Sequence, residues 1–261
     1  MRTTPALCCA LLATSGLLGG CGRIDDAAAT LNPVVVQGLY LGLDLPSSLL
    51  SLANGDENNG TFAYSAICKV FLAYLSAGGG DSPVDGADVR FDSRASGRID
   101  LREESEGKYI GDATDGLEYV PGESAELKVQ LDGGDGEVDG RTPDAPEEIE
   151  LPESVAKGSR FQVHLPGGGY DNMIVALYHL DSGKVSWENL PTDFEGLYEF
   201  TRPDEAVDTV TVPSEAVERS GSYVVGVAGM VIGEVEGFDG VNTALSTFMA
   251  GRVAVRYLDV N

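Results

Sequence analysis

Ala87-Asp88-Val89-Arg90-Phe91, Arg98-Ile99-Asp100-Leu101-Arg102, Lys108-Tyr109-Ile110-Gly111-Asp112-Ala113, Leu117-Glu118-Tyr119-Val120 and Ala125-Glu126-Leu127-Lys128-Val129-Gln130-Leu131 follow one another through the middle of the chain. Each segment is short, and most put apolar residues at alternate positions. Gly, Asp, Ser or Pro separates one from the next. A period of two places alternate side chains on one face of an extended strand. Strands recurring every 8–12 residues or so are the mark of a β-sandwich or barrel.

The same reading extends outward. Val34 to Leu45 forms a strand with Leu39, Leu41, Leu43 and Leu45 on one face, and Thr61 to Ser76 forms another, rich in aromatic and β-branched residues. Residues 132–147 carry the densest turn chemistry, Asp132-Gly133-Gly134-Asp135-Gly136-Glu137-Val138-Asp139-Gly140 followed by Pro143 and Pro146, and they divide the chain. Beyond them Phe161–Leu165, Met173–His179, Lys184–Glu188, Leu197–Thr201, Thr209–Val212, Tyr223–Val227 and Arg252–Leu258 read as strands, and Glu215–Arg219 as one helical turn after Pro213. The glycine content, 34 of 261 residues, fits a chain with many turns.

Between residues 66 and 132 the order Pro83-Val84-Asp85-Gly86-Ala87-Asp88-Val89, then Gly107-Lys108-Tyr109, then Pro121-Gly122-Glu123 resembles carboxypeptidase-regulatory-like and related Ig-like modules. That resemblance implies a fold and no catalytic residue. The expected fold class is therefore all-β: two tandem antiparallel β-sandwich (Ig-like) domains, residues 34–146 and 155–261, after a lipoprotein signal peptide.

The leader carries its own pattern. Arg2 supplies a positive charge, and Ala6 to Leu18 is a mostly apolar stretch, too short to span a bilayer. Leu18-Gly19-Gly20-Cys21 follows, and it resembles the lipobox of bacterial lipoproteins. The resemblance implies cleavage after Gly20 and lipid on the Cys21 thiol, usually with an acylated amine. Residues 1–20 are then the signal peptide, and 21–33 the lipidated cysteine and a tether. The 12 residues after Cys21 reach at most about 40 Å. Gly22, rather than Asp, follows the lipid site, which points to the outer membrane under the enteric sorting rule. An ordinary secretory signal that happens to contain a cysteine is the alternative.

Seventeen basic residues stand against 42 acidic ones, for a net charge of −25. Such a surface repels nucleic acid and anionic headgroups, which excludes nucleic-acid binding. On the lipobox resemblance, Cys8 and Cys9 leave with the leader and Cys21 carries the lipid. Cys68 then remains alone in an apolar run, where it reads as a small core residue.

Chemistry-bearing patterns are few. His164 and His179 lie in separate strands outside any spaced ligand set, and no G-x-S-x-G occurs. Asp135, Glu137 and Asp139, followed by Gly140, place oxygen ligands at alternate positions like the start of a D-x-[DN]-x-[DN]-G calcium loop. Glu stands at the third position, and Pro146 stands where a bidentate Glu belongs, so a solvated acidic turn is the other reading. Trp187, the one tryptophan, is either a core residue or a platform for sugars. The chain is expected to be a non-enzymatic envelope protein with a membrane anchor and an unidentified envelope protein partner. A calcium- or glycan-binding sandwich is the alternative.

Overall fold

The computed structural model describes residues 34–43, 63–74, 80–105, 107–131, 134–191, 194–233, 235–236, 242 and 246–261. The leader, Cys21 and the tether lie outside them. The first half contributes β1 (Val34–Leu43), β2 (Ala63–Tyr74), β3 (Gly80–Pro83), β4 (Asp88–Ser93), β5 (Gly97–Asp100), β6 (Arg102–Ser105), β7 (Lys108–Asp112), β8 (Ser124–Leu131) and β9 (Gly134–Arg141). The second contributes β10 (Ser154–Val155), β11 (Phe161–His164), β12 (Asn172–His179), β13 (Lys184–Glu188), helix α1 (Phe194–Phe200), β14 (Thr209–Val212), β15 (Gly221–Gly233), β16 (Val235–Glu236) and β17 (Thr247–Val260). The chain is almost all β, as the alternation predicts.

These strands form three sheets. A ten-stranded sheet runs β13-β12-β15-β17-β1-β2-β7-β6, with β10 beside β17 and β3 beside β2. A five-stranded sheet runs β16-β9-β8-β4-β5, and β11 pairs with β14. Most pairings are antiparallel, but β17 runs parallel to the two-residue β10 and to β1, with Gln37 beside Thr247 and Leu43 beside Val253. Local spacing does not reveal the β1–β17 pairing. It joins strands from both halves of the chain into one sheet.

The burial follows from the layers. A first core lies between the large sheet and the five-stranded sheet, built from Tyr40, Tyr109, Phe91, Tyr119, Leu127, Val138 and Phe248. A second lies between the large sheet and the β11–β14 pair, built from Val163, Leu165, Val175, Leu177, Val212, Val225 and Leu258. The reverse face of the large sheet carries a third cluster of Leu43, Val224, Met230, Met249 and Val253, against which Leu197 and Phe200 of α1 pack. Central strands buried on both faces lose the polar half of their alternation. This is why Tyr223 to Ile232 reads as one continuous apolar run.

Three segments differ from the sequence reading. Leu117–Val120 is not a strand: it runs unpaired between β7 and β8, and its apolar alternation reflects Leu117 and Tyr119 dropping into the first core. Residues 134–141 form strand β9 rather than a turn-rich divider, because eight residues pair in register with β8 from Ser124–Arg141 to Leu131–Gly134. Its Gly140 serves packing: a Cβ there would lie 2.7 Å from the Phe248 ring. Leu197–Thr201 is not a strand but the end of α1, where the Thr201 amide donates to the Leu197 carbonyl at 3.0 Å. Apolar residues 194, 197 and 198 recur at helical spacing, and tertiary packing of Leu197 and Phe200 overrides their β propensity.

Candidate functional site

The outward face of the five-stranded sheet is lined with charged side chains. Its strands alternate strictly: Val89 and Phe91 of β4, Ala125, Leu127 and Val129 of β8 and Val138 of β9 point into the first core. The residues between them point out. Register then lines up Asp92, Glu126 and Asp139 across three strands, and Arg90, Lys128 and Glu137 in the next row.

Ion pairs lace this face. Arg90 meets Asp88 at 2.5 Å and Asp100 at 3.3 Å, while Lys128 meets Glu126 at 2.9 Å and Glu137 at 3.4 Å. Each is solvent-screened and contributes on the order of 0–1 kcal/mol. One shallow depression of about 250 Å³ is lined by Asp88, Arg90, Lys128, Gln130 and Glu137. A second, of about 520 Å³, is lined by Asp92, Arg94, Glu123, Glu126 and Asp139. This is a polar wall of mixed sign.

The calcium candidates lie here. Asp135, Glu137 and Asp139 sit on the extended strand β9 opposite Gln130, Lys128 and Glu126. On a strand, alternate residues stand about 6.6 Å apart. A calcium loop instead curls its ligands around one ion. Among the described residues no three His, Cys, Asp or Glu side chains gather into a metal-binding group.

Trp187 lies on β13 opposite Leu177 and packs half-buried against the second core. Cys68 is a free thiol, fully buried in the first core. Burial alone pushes its pKa far above the usual thiol range, so it stays protonated and inert. His164 is partly exposed, with Nδ1 3.1 Å from the Asp208 carbonyl and 3.0 Å from Thr209 Oγ1. His179 is buried, its ring tilted 48° against Tyr223 with centroids 4.7 Å apart, and its Nδ1 lies 2.9 Å from Ser182 Oγ.

Sequence reasoning weighed His179 alone and missed its turn. Asp181 and Ser182 follow it by two and three residues in His179-Leu180-Asp181-Ser182-Gly183, where the Gly183 amide donates to the His179 carbonyl at 3.0 Å. The Asp-Ser-Gly turn signal was legible there and would have placed both side chains beside the ring.

The sheets end at defined edges. β13 and β6 close the two ends of the large sheet, and β5 and β16 those of the five-stranded one. Every residue of β6 is exposed, and Arg102, Glu103 and Glu104 charge that edge, which discourages uncontrolled strand pairing. Among the described residues no helix is long and apolar enough to cross a membrane.

No family model matches the chain, and no curated protein matches it. Among solved structures, the N-terminal four Ig domains of Dscam1 isoform 7.44 align over 92% of this chain and 68% of theirs, at 12% identity and a TM-score of 0.18. A likeness at that level carries no argument about this chain.

Proposed function

We propose that this chain is a bacterial envelope lipoprotein, held at the outer membrane by lipid on Cys21, and that its β part is a non-enzymatic structural or protein-interaction module. One observation carries the proposal: Leu18-Gly19-Gly20-Cys21 follows a charged residue and an apolar run in the order that lipoprotein processing needs. Two or three acyl chains on one cysteine give stable anchoring, at about 0.8 kcal/mol per buried CH₂.

Two further features support it. The first described strand begins at Val34, only 13 residues after Cys21, which keeps the folded part near the bilayer. Removing Arg2 with the leader shifts the net charge from −25 to −26, so headgroup attraction contributes nothing and lipid alone must hold the chain. The folded part is read as two sandwich units, 34–146 and 155–261, on one shared sheet. The finer likeness of residues 66–132 to carboxypeptidase-regulatory-like and Ig-like modules rests on its three motifs. A protein partner would meet the charged wall or a sheet edge, where strand addition uses backbone hydrogen bonds.

The test is Cys21→Ala in the native host. The wild-type chain should incorporate labelled palmitate and fractionate with membranes, and the variant should do neither. A variant that stays membrane-bound without detergent overturns the anchor.

A further inference from the structure

We propose that His179 and Asp181 form a binding site for a divalent transition-metal ion of the zinc class, with one imidazole nitrogen and one carboxylate oxygen as ligands and water in the remaining positions.

The argument starts from the hydroxyl of Ser182. Its Oγ lies 2.9 Å from His179 Nδ1 and donates to the His179 carbonyl at 3.4 Å. A hydroxyl has one proton. In the tautomer whose Nδ1–H donates to Oγ, the hydroxyl proton goes to the carbonyl and Nε2 carries a lone pair.

Nε2 is buried and has no hydrogen-bond partner, and the His179 side chain is only 7% exposed. The atom faces Asp181 Oδ2 across 4.0 Å. Two electron-rich atoms thus converge on one gap, an arrangement that a cation stabilises.

Gly221 keeps the gap open. A Cβ there would stand 2.9 Å from both His179 Nε2 and Asp181 Oδ2, in the space between them. Its φ of +135° also favours glycine.

The dimensions and donors select the ion. Zinc binds imidazole nitrogen at about 2.0–2.1 Å and carboxylate oxygen at about 2.0–2.2 Å, so tetrahedral ligands stand roughly 3.4 Å apart. Asp181 is 79% exposed on the turn and closes the difference by rotating. Calcium and magnesium take oxygen donors and leave an imidazole unused. The Ser182 contact plays the orienting part that a carboxylate or carbonyl plays beside most metal-bound imidazoles. Lys184 lies opposite His179 in the ladder, and its charge holds the affinity below that of three-ligand sites.

The experiment uses the full chain in detergent, stripped with EDTA and titrated with Zn²⁺ while its melting temperature is followed. Cu²⁺ quenching of Trp187 gives a second reading, since Trp187 faces Leu177, two residues along β12 from His179. Zinc should raise the melting temperature by several degrees, and Cu²⁺ should quench the emission. His164→Gln should keep both responses. Asp181→Asn, on an exposed turn, should weaken binding at least tenfold, and it carries the test even where His179→Gln fails to fold. A wild-type chain that responds to neither ion overturns the site, as does an Asp181→Asn chain that binds like wild type.

Discussion

The Phe248 ring occupies the space above Gly38, so that a Cβ on residue 38 would come within 2.6 Å of Phe248 Cδ2. On the other side of the ring a Cβ on Gly140 would reach Cδ1 at 2.7 Å. One aromatic side chain is therefore wedged between a strand of the large sheet and a strand of the five-stranded sheet, and both strands make room for it with glycine.

Gly38→Ala should destabilise the protein by about 1–3 kcal/mol through overpacking. Urea unfolding measures this, and adding Phe248→Leu to the same chain should restore part of the loss. A change below half a kcal/mol (about the scatter of neutral surface substitutions) would remove the wedge from the account.

What the sequence disclosed depended on the range of the interaction. Lys184–Glu188 and Thr209–Val212 are strands within the limits that their alternation and flanking turns imply, because both signals are local. β9 was hidden because its inward positions are Gly136, Val138 and Gly140, and glycine reads as turn unless the ring that needs the space is known. The β1–β17 pairing was hidden for a stronger reason: the Val36 amide donates to Ser246 Oγ across 210 residues, and no short pattern encodes such a partner. Of the candidate residues, the two histidines were visible as residue types, but the gap between His179 and Asp181 depends on Gly221, which lies on another strand.

Cys68 should resist thiol reagents in the folded chain. Its burial raises the thiol pKa, so the reactive thiolate is absent at neutral and mildly alkaline pH. Labelling at pH 8 should be slow in buffer and fast in urea, in step with unfolding. Rapid labelling of native protein would refute the buried-core assignment.

Asp112 should contribute stability that depends on acid. Burial alone would raise its pKa, but the Thr114 hydroxyl and amide and the Arg102 guanidinium outweigh it and hold the carboxyl below the usual range. A lowered folded pKa means the contribution is present above the unfolded value, near 4, and is lost as pH falls through the folded value. Asp112 caps the 3-10 turn Ala113–Asp115, so Asp112→Ala should cost about 1 kcal/mol at pH 7. The deficit should shrink by pH 2–3; equal deficits at both pH values would count against the linkage.

Calcium should leave the melting temperature unchanged. Asp135, Glu137 and Asp139 are strung along an extended strand, and Lys128 neutralises Glu137 from the neighbouring one. Melting curves in millimolar calcium and in EDTA should coincide within about one degree. A shift of several degrees, abolished by Glu137→Gln, would restore the calcium reading.

Asn172 should behave as a latch on α1. Its Nδ2 donates to the Phe200 carbonyl at 2.7 Å, and its Oδ1 accepts from the Met173 amide at 2.8 Å, in a site only 5% exposed. Asn172→Leu strands both backbone groups and should cost about 1–3 kcal/mol. Hydrogen exchange should show the loss concentrated in residues 194–201.

Synthesis delivers β17 some 210 residues after β1, yet the two lie side by side in the middle of the largest sheet. One face of β17 gives Phe248 and Ala250 to the first core and Leu258 and Val260 to the second. Neither core can close while this strand is missing. A ribosome making the chain therefore releases no finished half, and assembly waits for a single late event that completes both cores together. Contacts so distant in sequence also make that event slow. The nascent chain stays pliable until β17 arrives.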